Sequence, residues 1–129
     1  MRFDNQVIAV TGGAQGLGLA IVEQFIEEGA QVTIIDIDQK AIDQALHSLS
    51  SDSVDSICSD VTDAAQVDEI ISTIKEKHGR IDVLVNNAGI IRDNVIWKMP
   101  EEDYDSVMKV NLKGPWLMCR EVAPIMRAQ

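Results

Sequence analysis

Cysteine is scarce in this sequence of 129 residues, which contains only Cys58 and Cys119. Two cysteines cannot build a disulfide framework or a closed four-ligand zinc site on their own. The two histidines, His47 and His78, are isolated, so no cluster of histidine, cysteine and carboxylate side chains indicates a metal site. So little cysteine favours a reduced setting, and we expect a cytoplasmic protein.

Long apolar runs and basic residues are also missing. No apolar run approaches the roughly 18 residues that a membrane-spanning helix needs, and the first residues lack the apolar segment of a signal peptide. The chain has 11 lysines and arginines against 21 aspartates and glutamates, which gives a net charge of −10. An acidic surface repels phosphate backbones and anionic lipids, so we expect neither nucleic acid nor a membrane as a partner.

The sequence does contain a regular alternation of short apolar runs and amphipathic stretches. The apolar runs predict four β-strands, at residues 7–10, 32–35, 54–58 and 81–85. Apolar residues at helical spacing lie between them, and two further helices are predicted at 101–112 and 116–127, with Pro124 expected to kink the second. This alternation predicts a parallel sheet with helices on both faces, the doubly wound α/β or Rossmann fold, as one domain over residues 1–129.

The predicted sheet stops after four strands and the helices that follow the fourth. With no fifth strand, we expect a truncated fold in the order 3-2-1-4, with the fourth strand on an open edge. An unpaired apolar edge and the apolar residues of the last helix, among them Trp116, Leu117 and Val122, predict self-association.

A glycine-rich segment, residues 11–18, joins the first strand to the first helix and reads Thr-Gly-Gly-Ala-Gln-Gly-Leu-Gly. Gly12 can form the sharp turn, Gly16 can let a pyrophosphate approach the backbone, and Gly18 can let the helix pack closely on the sheet. The helix start adds free N–H groups and the positive end of the helix dipole. A plain tight turn is the alternative, but the strand–turn–helix context favours dinucleotide binding.

An acidic residue, Asp36, stands at the end of the second strand, 24 residues after Gly12. A carboxylate at this position can accept hydrogen bonds from ribose hydroxyls and would repel a 2′-phosphate. The glycine loop carries no lysine or arginine, and Gln15 occupies its middle. The preferred cofactor is therefore NAD rather than NADP, unless Asp36 is an ordinary solvated loop acid.

Polar residues also follow the third and fourth strands. Asp60 can accept from an adenine amino group and Val61 can line the ring, although an ordinary acid before the Asp63 helix cap fits equally well. Residues 86–89, Asn-Asn-Ala-Gly, combine a donor and acceptor amide with a glycine that lets a ligand approach. In doubly wound sheets, ligands bind beyond the carboxyl ends of the strands, where these segments converge. The predicted cofactor-binding residues are Gly12, Gln15, Gly16, Leu17, Gly18, Asp36, Ile37, Asp60, Val61, Asn87, Ala88 and Gly89.

Asn111 continues a predicted core-facing stripe formed by Tyr104, Val107 and Met108. A polar amide on such a stripe needs hydrogen-bond partners. Asn111 is therefore either a satisfied core asparagine that fixes a kink or a residue that holds water beside an active site.

Together these motifs resemble the short-chain dehydrogenases/reductases: the glycine loop 11–18, Asp60-Val61, residues 86–89 and Val110-Asn111. Residues 91–94, 99–104 and 110–114 are most similar to the 3-oxoacyl-[acyl-carrier-protein] reductase branch. The resemblance implies an NAD(P)-dependent oxidoreductase that transfers hydride between nicotinamide and a small-molecule carbonyl or secondary alcohol. It also implies a catalytic role for Asn111 and a homo-oligomer. Members of that branch usually prefer NADP, whereas Asp36 favours NAD.

The chain departs from this family in its catalytic residues. The family uses a serine and a tyrosine followed four residues later by lysine, in addition to the asparagine. The only tyrosine here is Tyr104, which is followed at +4 by Met108 and at +5 by Lys109, about 140° around a helix. We therefore expect the chain to be inactive alone and the parent protein to be the enzyme. One alternative is a non-catalytic dinucleotide-binding or interaction module. A methyltransferase is another, which residues 86–89 and Asn111 disfavour.

Overall fold

The computed structural model describes all residues from Met1 to Gln129. Four strands alternate with helices, and two helices follow the last strand. The elements are β1 (Val7–Thr11), α1 (Gly16–Glu27), β2 (Gln31–Asp36), α2 (Gln39–Leu49), β3 (Val54–Cys58), α3 (Ala64–His78), β4 (Val83–Asn86), α4 (Glu101–Met108) and α5 (Gly114–Ala128). A short 3₁₀ turn, Ile96–Lys98, precedes α4, and one π-helical turn, Lys109–Lys113, joins α4 to α5.

The sheet is parallel throughout and has the order β3-β2-β1-β4, which confirms the predicted topology. All five residues of the central strand β1 are buried, because helices cover both of its faces. The edge strands β3 and β4 are only half-buried apart from their exposed last residues. Side chains alternate across a strand, so a central strand must be apolar on both faces, as the run Val-Ile-Ala-Val is.

The two faces of the sheet carry separate apolar cores. On one face, Ile8 and Val10 of β1 pack with the buried residues of α1 and α2. On the other face, Val7 and Ala9 pack with α3 and α5. This division confirms the doubly wound α/β fold.

Strand β4 begins at Val83, two residues later than predicted. The preceding Asp82 still pairs with the start of β1, since its N–H donates to the Val7 carbonyl (2.9 Å). Its carboxylate accepts from the Val7 N–H (2.8 Å) in place of a second backbone bond. Ile81, predicted as the first strand residue, is fully buried in the α3/α5 core.

Helix α3 follows the predicted pattern from end to end. Asp63 caps it, because its carboxylate accepts from the N–H groups of Ala65 (2.9 Å) and Gln66 (3.2 Å). The hydrogen bond from the Gln66 N–H, more than any other contact, holds the pKa of Asp63 below its usual value. The helix ends at Gly79, whose φ of 78° gives the left-handed conformation of a helix C-terminus.

The helical region after β4 differs from the expectation. A single helix over 101–112 was predicted, but α4 ends at Met108 and the π-helical turn continues to Lys113. The expected core-facing stripe is wrong for this chain, because no residue of α4 is buried and Tyr104 is 55% exposed. Helical spacing alone could not separate a face that packs on the sheet from one that does not.

Helix α5 runs unbroken from Gly114 to Ala128, with Pro115 in its first turn and Pro124 inside it. Leu117 and Val122 are buried against the chain's own sheet, so they are not the exposed residues that the sequence suggested. Trp116 does remain exposed. None of the helices combines the length and apolarity that a membrane crossing requires.

Candidate functional site

A crevice of about 590 Å³ runs along the carboxyl edge of the sheet. It is lined by residues that follow all four strands and by one face of α4 and the π-helical turn. Nine of the twelve predicted cofactor-binding residues line it: Gly12, Gln15, Asp36, Ile37, Asp60, Val61, Asn87, Ala88 and Gly89. The convergence expected from strand order therefore occurs in the structure.

The remaining three predicted residues lie in the first turn of α1 and do not line the crevice. Gly16 has a φ of 58°, and a Cβ atom built on it would meet nothing within 4 Å, so the backbone there is open to an approaching ligand. A Cβ on Gly18 would overlap the Gly12 carbonyl oxygen, so this glycine serves the packing of α1 on the loop. Leu17 is 73% exposed.

The glycine loop is fixed by hydrogen bonds from the segment after β4. The buried Thr11 hydroxyl oxygen accepts from the N–H groups of Asn87 and Ala88, both at 3.1 Å. The Asn87 side-chain amide donates to the Gly12 carbonyl (3.0 Å). Asn87 therefore positions the loop as well as lining the crevice. The role of Thr11 was missed from the sequence, although a threonine at the end of a buried strand must find such partners.

Asp36 spans the ends of β1 and β2. One carboxylate oxygen accepts from the Ala14 N–H of the glycine loop (3.2 Å) and the other from the Asp38 N–H (3.1 Å). A carboxylate has about four acceptor positions, so each oxygen can still accept from a ligand hydroxyl. The residue is thus held in place by backbone groups and faces the crevice, unlike a freely solvated loop acid.

Asp60 is held in a similar way at the end of β3. Its Oδ1 accepts from the Thr62 N–H (2.9 Å) and hydroxyl (2.7 Å), which leaves Oδ2 without a protein partner. Its own N–H donates to the side chain of Gln66 in the first turn of α3 (2.9 Å). Val61 is 8% exposed and belongs mainly to the α3/α5 core, with one part of its surface in the crevice.

Asn111 lies in the π-helical turn and makes a two-point contact with the backbone of Ile90. Its Oδ1 accepts from the Ile90 N–H (2.8 Å) and its Nδ2 donates to the Ile90 carbonyl (2.9 Å). Asn111 is exposed, so the expectation of a core position is wrong. The contact ties the π-helical turn to the loop after β4. Ile90 and Val110 line the crevice next to it, whereas Asn111 does not.

Several crevice residues were missed from the sequence. The polar ones are Ser59, Thr62, Arg92, Ser106 and Lys109. Arg92 follows β4 on the ligand edge of the sheet, so its position was a usable signal. Ser106 and Lys109 reach the crevice only because of the way α4 packs, which spacing does not reveal. The structure contains no group of three or more histidine, cysteine or carboxylate side chains that could hold a metal ion.

Comparison with known proteins identifies the family. A model of the short chain dehydrogenase family matches residues 6–129. The chain belongs to the short-chain dehydrogenase family. All residues that line the crevice lie within the part of the chain that the family model matches.

The chain is 41% identical over its whole length to the 3-oxoacyl-[acyl-carrier-protein] reductase FabG of Thermotoga maritima, of which it covers 53%. It is 40% identical to the galactitol 2-dehydrogenase of Agrobacterium fabrum and covers 50% of it. One similar solved structure is a short-chain dehydrogenase/reductase from Burkholderia phymatum in complex with NAD. It superposes on all of this chain with a TM-score of 0.95, at 30% sequence identity, and this chain covers 47% of it. The chain spans about half the length of these relatives.

The family binds a nicotinamide dinucleotide, and the residues of the crevice and of the adjoining start of α1 fit one. The backbone at Gly16 offers an open cradle that any Cβ would partly fill. Asp36 and Asp60 keep free acceptor positions, which could accept hydrogen bonds from hydroxyl or amino groups of a ligand. The glycine loop and the first turn of α1 supply unpaired N–H groups for phosphate oxygens.

Proposed function

We propose that residues 1–129 form the NAD-binding domain of an oxidoreductase that interconverts a carbonyl and a secondary alcohol. The observation that carries this proposal is the crevice itself, in which the glycine loop, Asp36, Asp60 and Asn87 line one continuous cavity. The bound dinucleotide supplies hydride transfer, and the protein supplies binding and orientation.

Each crevice segment has a defined part in this proposal. Gly12, Gln15 and the open backbone at Gly16 would hold the diphosphate, with Leu17 and Gly18 shaping the helix start. Asp36 and Ile37 would hold the adenosine ribose, and Asp60 and Val61 the adenine. Residues 87–89 would lie beside the nicotinamide ribose. Asn111 would take part beside the reacting centre, where its hydrogen bonds hold the Ile90 backbone and the π-helical turn together.

The cofactor in this proposal is NAD rather than NADP. Asp36 is supported by two backbone N–H groups, which keeps its charge directed at the crevice. A 2′-phosphate on the ribose would meet this carboxylate, and no lysine or arginine of the glycine loop would offset the repulsion.

The substrate in this proposal is a small molecule with a keto or secondary alcohol group, of the kind that 3-oxoacyl-[acyl-carrier-protein] reductases take. We expect the parent protein to be a cytoplasmic homo-oligomer. The chain itself should not turn over substrate, because its only tyrosine, Tyr104, does not line the crevice and has no lysine at +4. A missing general acid alone costs about 10²–10⁴ in rate.

A non-catalytic dinucleotide-binding module is the second candidate. It is favoured by the same observation, namely that the crevice carries binding groups but no tyrosine–lysine pair. An NADH-oxidation assay of the chain with a 3-oxo ester, compared with the same assay on any longer parent protein, separates the two. Turnover by the parent supports the enzyme, and its absence in both supports the module.

Cofactor choice tests the proposal directly. NADH and NADPH should be titrated against the chain by nucleotide fluorescence, with Asp36→Asn as the variant, because it keeps an acceptor oxygen and loses the charge. We expect the wild type to prefer NADH and Asp36→Asn to narrow that preference, with about 1–3 kcal/mol of NADH binding free energy lost. Equal or tighter NADPH binding by the wild type would contradict the choice of NAD.

A further inference from the structure

Arg92 lies at the β4 end of the crevice and has no carboxylate partner. Its side chain makes one hydrogen bond, from Nη1 to the carbonyl of its neighbour Ile91 (2.9 Å). None of the ion pairs in the structure includes it. A guanidinium group carries five N–H donors, so four remain available to a ligand.

The charge around Arg92 makes this position unusual. The chain has a net charge of −10, and Asp36 and Asp60 both line the crevice. Only Arg92 and Lys109 bring positive charge to its lining. Lys109 also takes part in none of the ion pairs, but its ammonium is a point charge, whereas the planar guanidinium of Arg92 can form two parallel hydrogen bonds to a phosphate or carboxylate. Of these two cations, Arg92 is therefore the better match for a planar anionic group.

The backbone near Arg92 is anchored. Ile90, two residues earlier, is bound at both its N–H and its carbonyl by Asn111 (2.8 and 2.9 Å). Along the crevice, the Asp36 and Asp60 segments lie at the β2 and β3 ends of the sheet, and Arg92 follows the opposite edge strand, β4. In the strand order, the glycine loop after β1 therefore lies between the proposed adenosine site and the segment that carries Arg92, and all three line one cavity.

We propose that Arg92 binds an anionic group, phosphate or carboxylate, at the β4 end of the crevice. This inference rests on the proposed function, which places the reacting end of the dinucleotide there. The anion comes from one of two sources: the diphosphate of the dinucleotide, which the proposed function places on the neighbouring glycine loop after β1, or a carboxylate or phosphate on the molecule that the dinucleotide reacts with. A charge-assisted contact with a planar guanidinium fits either group.

Binding measurements distinguish these sources without needing turnover. NADH and adenosine are titrated against the wild type, Arg92→Ala and Arg92→Lys. Acetoacetate and its uncharged methyl ester are then compared by ligand-observed NMR on the NADH-saturated proteins. Arg120→Ala is the matched control, because it removes the same charge from a side chain that lies over Trp116 on α5, outside the crevice.

If the diphosphate is the anion, Arg92→Ala weakens NADH binding by roughly tenfold, leaves adenosine unchanged and is partly rescued by Arg92→Lys. If the substrate carries the anion, NADH binding is unchanged and acetoacetate binding falls by a similar factor, while the ester is unaffected. The inference is overturned if Arg92→Ala changes neither ligand, or changes them only as much as Arg120→Ala does. A wild type that binds no NADH would instead overturn the proposed function.

Discussion

At the scale of single residues, the crevice is built by side chains that bind the protein's own backbone first. Three side chains form hydrogen bonds with backbone groups of another segment: Asp36, Asn87 and Asn111. Such contacts fix the side chains, and the two that line the crevice, Asp36 and Asn87, keep acceptor positions free for a ligand. The sequence identified these three residues by their place after a strand or in a motif, but it could not reveal their partners.

Two residues inside recognised segments were still missed from the sequence. Thr11 and Arg92 both lie within or next to recognised segments, yet their roles depend on what approaches them in three dimensions. Thr11 receives two N–H groups from a segment more than 70 residues later in the chain. No periodicity within β1 encodes that contact, because the strand pattern reports burial and not the identity of the neighbour.

Gly16 gives a test in which strain and ligand binding can be separated. Gly16 and Gly79 both have positive φ, 58° and 78°, and a Cβ on either would meet nothing within 4 Å. Gly16→Ala and Gly79→Ala should therefore each lower the free energy of unfolding by a similar amount, about 1 kcal/mol, from backbone strain. Only Gly16→Ala should also weaken NADH binding, since its Cβ would occupy the proposed phosphate cradle.

Urea unfolding and NADH titration of both variants measure the two effects. Gly79 lies at the end of α3, outside the crevice, so it controls for the loss of a left-handed glycine. NADH affinity that is equal in the two variants would mean that Gly16 does not contact the cofactor.

At the scale of secondary-structure elements, the sequence predicted what local patterns determine. The four strands, the Asp63 cap and the buried stripe of α3 (Val67, Ile70, Ile71 and Ile74) follow from apolar runs, capping chemistry and helical spacing. The predicted single helix over 101–112 was wrong, and the π-helical turn found in its place makes contacts with distant parts of the chain. Asn111 reaches back to Ile90, and Gly114 approaches Val61, where a Cβ would stand 3.1 Å from the valine side chain.

The junction of β1 and β4 gives a prediction on pH dependence. Asp82 is 11% exposed and accepts from the Val7 N–H and from both Nε and Nη2 of Arg80. The Arg80 hydrogen bond is the main cause that holds the pKa of Asp82 below its usual value, against the opposing effect of burial. A carboxylate whose folded pKa is lowered stabilises the protein above its unfolded pKa, about 4, and loses this contribution as the pH falls through the folded value.

Asp82→Asn should therefore be less stable than the wild type by about 1–2 kcal/mol at pH 7. This difference should shrink as the pH falls below about 4, where the carboxylate of the unfolded chain takes up its proton, and it should be lost as the pH falls through the lower folded pKa. Urea unfolding at a series of pH values measures it. Asp52→Asn serves as the control, because Asp52 is exposed in the turn before β3 and makes no side-chain hydrogen bond, so its difference from the wild type should stay near zero. If the free energy of unfolding of Asp82→Asn differs from that of the wild type by the same amount at every pH, the substitution removes packing rather than the contribution of the charge.

At the scale of the whole molecule, the chain's own core leaves an apolar groove uncovered at the junction of α4 and α5. Helix α5 buries Leu117, Met118 and Val122 against the sheet, so the prediction that the whole last helix would be exposed was too broad. Around the α4–α5 junction, however, Met108, Leu112 and Trp116 line a shallow groove, and Leu112 and Trp116 are 60% and 56% exposed. Lys109, Lys113 and Asp105 border the groove, which gives it both signs of charge. A patch of this kind, apolar at the centre and charged at the rim, is typical of a protein interface.

We therefore expect the chain to self-associate through this groove. Light scattering at micromolar concentration should give a mass of at least twice the 14.2 kDa of one chain. The double variant Leu112→Glu/Trp116→Glu should shift the protein to a single chain, because it places two like charges at the centre of the interface, where each buried unpaired charge costs several kcal/mol. Ile96→Glu/Trp97→Glu is the matched control: it changes one aliphatic side chain and one tryptophan that are also exposed, but outside the groove. Loss of association in the control as well would move the interface to the loop before α4, and a wild type that scatters as one chain would refute self-association altogether.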